Sequence, residues 1–246
     1  MSHIKKRGKI LYPMFFVLLL LAIAVIIIQK QYFVLEHVVV TGNVTRSAEN
    51  VLWNSGLKYG KNLFNIDEDD IKRSLKKDHL IIYKDMKIDF FNHTLYLVVE
   101  ERQPVAKIAW PNEGVLLDKE GVVLSKDFGV NPKLPLISGL TVQSANIGQL
   151  VPVDVEQKLF DYQKIITALV DQNYIQNIEQ INFFELDNIY CITRDKTRVL
   201  LWNSNNAHAK IMATRLILSH LQKERITGGT LDLFIPERAK YLPMQK

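Results

Sequence analysis

The sequence predicts an α+β protein with one N-terminal transmembrane helix followed by two exported domains, the second built mostly of antiparallel strands. Three observations carry this. Residues Ile10 to Ile28, "ILYPMFFVLLLLAIAVIII", hold no ionisable group except the Tyr12 phenol, and at about 1.5 Å per helical residue they match the hydrocarbon thickness of a bilayer. Residues 33–101 read strand, helix, helix, strand, strand. Beyond Pro104, short strands separated by Gly and Asn turns are joined by two amphipathic helices.

The charge distribution orients the span. Lys5, Lys6, Arg7 and Lys9 precede it, which puts the N-terminus in the cytoplasm and the rest of the chain on the other side. The rival reading is a cleaved signal peptide, because "AIA" at Ala22 to Ala24 has the spacing that signal peptidase reads. Against it, the apolar run continues through Val25, Ile26, Ile27 and Ile28, where a cleavage site should turn polar. Those four cations also explain most of the formal charge of +5, leaving 27 basic against 26 acidic residues. A nearly neutral body lacks the electrostatic footprint of a nucleic-acid binder. The single Cys191 excludes an intrachain disulfide and reads as a small buried hydrophobe on a strand.

In the first exported segment, "FVLEHVVVTGN" is a β-branched run closed by Gly42-Asn43. Ser47 can cap a short helix that Gly56 ends, and Asp67, followed by acids, can cap a second one carrying Ile71 and Leu75 on one edge. The pattern then changes to period two. Met86, Ile88 and Phe90, then Leu95, Leu97 and Val99 across an Asn92-His93 turn, form a hairpin with one face on the helices. The stretch "LYLVVEERQPVAKI" stops this hairpin at Glu100 to Arg102, expected to be solvated strand ends. Pro104, without an N–H, restarts the chain in the second domain. Glu100 and Glu101 cannot serve as an acid and base on one substrate atom, because strand neighbours point to opposite faces.

In the second segment, "VAKIAW", "VLLD" and "VVL" are short strands around the turns "PNEG" and "KEG". A helix with Asp154 as its expected cap carries Leu159, Tyr162, Ile166 and Leu169 on one stripe. Strands follow around "IEQINFF", "NIYCIT" and "TRVLLW". A helix from about Ala207 to Gln222 groups Ile211, Thr214, Leu218 and Leu221, and the strand "TLDLFIP" comes last, with Leu231, Leu233 and Ile235 on one face.

The strand, helix, helix, strand, strand order is that of a POTRA domain. "VVVTGN", "GLKYGKNLFNID", "LYLVVEERQPVAKI", "LLDKEGVVL" and "LPLISG" together resemble the FtsQ/DivIB family of bacterial cell-division proteins from Phe33 to about Pro236. The resemblance implies a cytoplasmic tail over 1–9, a transmembrane helix over 10–29, a POTRA domain (β-α-α-β-β) over 33–101, a C-terminal β domain over 103–240 and a tail over 241–246. It implies a non-enzymatic scaffold in the plasma membrane at the division septum. Its partners would be FtsB (DivIC in Gram-positive bacteria) and FtsL, and through them the septal peptidoglycan synthases. A strand of FtsB/DivIC would add to the last strands at Leu233, Phe234, Ile235, Ala239, Lys240, Tyr241 and Leu242. Lys210 and Asp232-Leu233 match the family. His79, "IDFFNHT" and Phe234, which stands where some members have an Arg, depart from it. The competing reading of the last strand is that Pro236, Lys240 and Pro243 protect its edge against pairing.

Catalytic signatures are missing from the sequence: no HExxH, GxSxG, Walker loop or GxGxxG occurs. No cofactor is expected. His208 and His220 stand twelve apart on one helix, too far to share an ion. "DEDD" at Asp67 to Asp70 lacks the alternation and central Gly of a calcium loop, and Lys72, Arg73, Lys76 and Lys77 read as a solvated helix side. The alternative function is an anchored, exported cell-wall enzyme or carbohydrate-binding protein whose site is assembled from distant residues.

Overall fold

The computed structural model describes residues 8–110, 113–126 and 133–244. Most of the expected cytoplasmic tail, turn residues 111–112 and the final two residues lie outside the described residues. The first element is α1 (Gly8–Tyr32). Among the described residues no helix is long and apolar enough to cross a membrane. Within α1 side chains are described from Pro13 to Ile27 and at Gln31 and Tyr32, all exposed, and the span expected over 10–29 runs past the first of these stretches at both ends. The chain divides between Glu101 and Arg102 into two compact units.

After α1, the first unit contains β1 (His37–Thr41), α2 (Ala48–Ser55), α3 (Glu68–Leu75), β2 (Ile81–Asp89) and β3 (Thr94–Glu101). The sheet order is β1-β3-β2, with β1 parallel and β2 antiparallel to β3. Both helix starts are capped by side chains, Ser47 accepting from the Asn50 N–H and Asp67 from the Asp69 N–H. Leu95, Leu97 and Val99 on β3 pack with Val51, Ile71 and Leu75 of the helices. Gly42 lets β1 turn away beside β3: its φ is +87°, and a Cβ there would lie 1.8 Å from the Val99 carbonyl oxygen.

Glu101 corrects an expectation. It is not a solvated strand end; it is 6% exposed. One carboxylate oxygen accepts the N–H groups of Val44 (2.6 Å), Thr45 (2.9 Å) and Arg46 (3.1 Å), and the other accepts the Thr45 hydroxyl. The carboxylate therefore holds the whole turn that follows β1. Glu100 does reach the surface, 2.5 Å from Lys84 Nζ. Arg102 is likewise not free, since it pairs with Asp118 and Glu120 inside the second unit.

The second unit contains β4 (Ala106–Trp110), β5 (Glu113–Leu117), β6 (Val123–Ser125), β7 (Leu136–Ser138), α4 (Glu156–Asp171), β8 (Ile178–Asn182), β9 (Ile189–Thr193), β10 (Arg198–Trp202), α5 (Ala207–Lys223), β11 (Thr230–Asp232) and β12 (Lys240–Leu242). They form one sheet of order β12-β11-β10-β9-β8-β7-β4-β5-β6. As expected the sheet is mostly antiparallel, with β4–β5, β5–β6, β8–β9, β9–β10 and β11–β12 paired that way; β4–β7, β7–β8 and β10–β11 are parallel. Parallel neighbours need a long crossover; α4 is the one between β7 and β8, and α5 the one between β10 and β11. Tyr162, Ile166 and Leu169 of α4 and Ile211 and Leu218 of α5 share a single core with Ile181, Cys191, Val199 and Leu231 of the strands. Asp154 sits one residue too early to cap α4, whose N-cap is Val155 without a side-chain bond. Its carboxylate lies 3.8 Å from Lys158 Nζ instead.

Burial alone would raise the Glu101 carboxyl pKa, but the bonds from Thr45, Val44 and Arg46 outweigh it and hold the group at about 2, below the ordinary 4.5. A depressed carboxylate stabilises the fold above its unfolded pKa and loses that contribution as pH falls from about 4.5 to about 2. Glu101→Gln is expected to cost on the order of 2–3 kcal/mol in urea unfolding at neutral pH. It should also flatten the acid limb of the stability profile between those two values.

Candidate functional site

The candidate site is the β12 end of the nine-stranded sheet. Strand register divides it into two faces. Cys191, Val199, Leu231 and Tyr241 lie side by side across β9 to β12 and belong to the core beneath the helices. The alternate row, Tyr190, Leu200, Asp232 and Lys240, is also in register and faces away from that core. On this second face Arg198 stacks its guanidinium 4.0 Å from the Tyr190 ring centroid.

Among the described residues β12 is the last strand on its side of the sheet, paired only inward with β11. Alternate residues of a strand direct their N–H and C=O to opposite neighbours, so the outer side of β12 presents main-chain groups to solvent. Beside it, Trp202, Phe234, Ile235, Arg238 and Lys240 border a hollow of about 390 Å³. Asp232 organises this hollow: its carboxylate accepts the Trp202 indole N–H at 2.8 Å and the Phe234 backbone N–H at 3.0 Å. The Phe234 ring meets Trp202 edge to face at 5.7 Å. Phe234 is 64% and Leu242 61% exposed. Arg238 and Lys240 supply the positive rim.

Trp202 adopts a left-handed φ of +66° where β10 ends, a conformation costly for a bulky residue unless its surroundings impose it. Lys210, 3% exposed on α5, imposes it. Its ammonium donates to the carbonyls of Leu201 (2.6 Å) and Asn203 (3.0 Å) and to the Asn203 side-chain oxygen (3.0 Å), gripping the backbone on both sides of Trp202. Burial lowers the Lys210 pKa.

Of the residues expected here, Phe234, Ile235, Lys240 and Leu242 are exposed at this end, and Ala239 and Tyr241 are half-buried against the core, with the Tyr241 hydroxyl bonded to the Gly228 carbonyl at 2.8 Å. Leu233 is a correction: it is fully buried and its N–H donates to the Leu200 carbonyl, so its side chain is core. Ile235 does not share its face, because β11 stops at Asp232 and Pro236 opens a short 3-10 turn, Pro236–Arg238. The sequence reading missed Trp202 and Arg238. For Trp202 the signal was present as parity: Val199 and Leu201 point inward, so Trp202 points out.

Other chemistry is sparse. Among the described residues no group of three His, Cys, Asp or Glu could hold a metal ion. Cys191 is buried and its thiol pushed up to about 12 by burial. A second hollow, about 610 Å³, lies between α4 and the start of α5, walled by Phe160, Lys164, Thr167 and His208; His208 bonds Asp171 at 2.9 Å.

Residues 33–102 match the POTRA domain of FtsQ type. The chain is 27% identical over 143 residues to the cell division protein DivIB of Clostridium acetobutylicum, covering 58% of this chain and 57% of that protein. It is 29% identical over 117 residues to the cell division protein FtsQ of Rickettsia bellii, covering 47% and 42%, and 30% identical over 126 residues to that of Rickettsia felis, covering 50% and 45%. The matches span about half the length of these curated relatives. Fold and comparisons together define a POTRA-bearing protein with a mixed α+β partner unit. Residues 33–102 carry a POTRA domain of FtsQ type, and the chain is similar to the cell-division proteins DivIB and FtsQ.

Lys210→Met leaves the Leu201 and Asn203 carbonyls without their donor and is expected to cost about 2–4 kcal/mol, with a changed near-ultraviolet signal from Trp202. Because the folded pKa of Lys210 lies below the ordinary 10.5, the unfolded chain binds the extra proton in the alkaline window below 10.5. Wild-type stability should therefore gain a rising contribution there that the Met variant lacks.

Proposed function

We propose that this protein is a non-enzymatic scaffold of the division septum. It is held in the plasma membrane by α1, with its N-terminus cytoplasmic and both units outside. The open outer side of β12, flanked by an exposed apolar hollow, carries the proposal: an extended segment of FtsB/DivIC adds as a further strand, and FtsL and the septal peptidoglycan synthases join through it. Main-chain bonds supply pairing and the hollow supplies side-chain selection. The exposed apolar side chains of α1 support the anchor, since a helix apolar all round is stable only inside a protein core or a bilayer. With Phe234 in place of an arginine, recognition on this side rests on apolar contact, and the cations available are Arg238 and Lys240.

A second reading, an exported carbohydrate-binding or wall-processing protein, is favoured by the hollow beside half-exposed Phe160. Turnover or tight binding of purified peptidoglycan by the protein would support it.

Ile235→Glu places a charge in the hollow on a side chain already 43% exposed. It is expected to weaken co-purification with an FtsB/DivIC segment by at least about tenfold, roughly 1.4 kcal/mol, with an unchanged unfolding midpoint. An undiminished complex would move the docking site elsewhere. In cells lacking any second copy, loss of the protein should give filaments.

A further inference from the structure

The first unit carries an aromatic cluster that none of this uses. At the β2–β3 hairpin tip, Phe90 lies 4.8 Å from Phe64, Phe64 lies 5.3 Å from Phe33, and Tyr32 meets His93 edge to face at 5.2 Å. Phe91, at the tip itself, is 96% exposed, and Tyr32 and Phe64 are 62% and 54% exposed. A cluster of large exposed rings is unfavourable in water and marks a surface that meets something apolar.

The chain entering this cluster comes directly from α1, whose last residue is Tyr32. The segment after it is strapped in place: the Leu63 N–H donates to the Phe33 carbonyl, the Leu35 N–H to the Lys61 carbonyl, and the Glu36 N–H to the His93 carbonyl. The hairpin tip thus sits at the exit of α1. From Ile28, the end of the apolar run, to Tyr32 is about 6 Å of helix. That is comparable to the roughly 5–8 Å headgroup layer on each side of a bilayer. The carboxylates nearby are already engaged: Asp89 accepts the Phe91 and Asn92 N–H groups at 3.0 Å each, and Glu36 accepts from His93 at 3.1 Å.

We infer that Tyr32, Phe33, Phe64, Phe90 and Phe91 form an aromatic collar seated in the lipid headgroup layer, which fixes the height and tilt of the first unit on the membrane. Tyr32 has the amphipathic ring that is enriched in that layer, and the four Phe rings supply the apolar face that interfacial segments bury at the boundary between headgroups and acyl chains. The occupant is lipid and not a partner protein, because the cluster is continuous with the end of the apolar helix. The inference rests on α1 being the membrane anchor.

The test uses the full chain reconstituted in phosphatidylethanolamine and phosphatidylglycerol vesicles. A fluorophore is placed on Phe91→Cys or, as the comparison, on Val44→Cys. Val44 is 69% exposed, and it adjoins Glu101 at the other end of β3, roughly 23 Å along the strand from the tip. Buried Cys191 does not compete for the label. Lipids bearing a nitroxide near the headgroup are expected to quench the probe at position 91 severalfold more than at position 44. A chain that floats with the vesicles but shows equal quenching at both positions overturns the collar alone. Self-quenching between labelled chains in place of lipid quenching would assign the tip to a second copy and also overturn it. A chain that does not float with the vesicles overturns the anchor and the collar together.

Discussion

A hydrogen-bonded sheet must end, and the main-chain groups on its last strand need a partner other than the next strand. In the second unit that end is three residues, Lys240–Leu242. Every other strand between β11 and β5 is paired on both sides. Water can satisfy the open groups of β12, so the edge is stable alone, but replacing that water with another backbone is close to neutral in hydrogen bonds. What decides whether a strand joins is the side chains around it. Those are Trp202, Phe234 and Ile235 on the outward face; the Asp232 carboxylate holds Trp202 and Phe234, and the Lys210 ammonium holds the backbone beside Trp202.

Lys210 is an uncommon arrangement, a buried cation held by oxygen dipoles with no carboxylate bonded to it among the described residues. Desolvating an ammonium is costly, and three good acceptors offset that cost only where the backbone is shaped to present them. The left-handed Trp202 is part of that shape: it turns the Leu201 and Asn203 carbonyls toward one point. Strain at Trp202 and burial at Lys210 therefore compensate one another, and the product is a rigid indole on the outer face. A shorter or neutral side chain at position 210 removes both halves of the bargain.

The elements written in local pattern were legible from sequence. Period two located β2 and β3, Ser47 and Asp67 marked their helices, and the stripes of α4 and α5 identified their buried faces. What was not legible was long-range pairing. Glu101 looked like a solvated strand end because its partners are 55 to 57 residues away, in the turn after β1; no local pattern encodes that. Two parallel pairs, β7–β8 and β10–β11, arise because α4 and α5 are crossovers, and the third, β4–β7, because β5 and β6 intervene; short apolar runs announce neither. At the site, Phe234, Ile235, Lys240 and Leu242 were reachable by resemblance and by position near the last strand. Leu233 was misplaced by the resemblance, although its parity with Leu231 points its side chain into the core. Arg238 gave no sequence signal, as an arginine in a short turn is ordinarily solvated.

The shortness of β12 also constrains how the proposed docking could work. Three residues offer only a few main-chain bonds to a further strand, each contributing about 1 kcal/mol net, while association costs at least about 4 kcal/mol in lost freedom. Pairing alone is then too weak to hold a partner, and Pro236 and Pro243 on either side prevent the strand from lengthening to compensate. Those prolines thus serve both readings of the edge: they protect against indiscriminate pairing and leave a short template that needs help. Help can come from burying Phe234 and Ile235, at about 25 cal/mol per Å² of apolar surface, and from tethering. Two chains anchored in one membrane meet at a high effective concentration, which removes much of the association cost. On the proposed reading, docking would discriminate twice, by which side chains fill the hollow and by which proteins share the membrane.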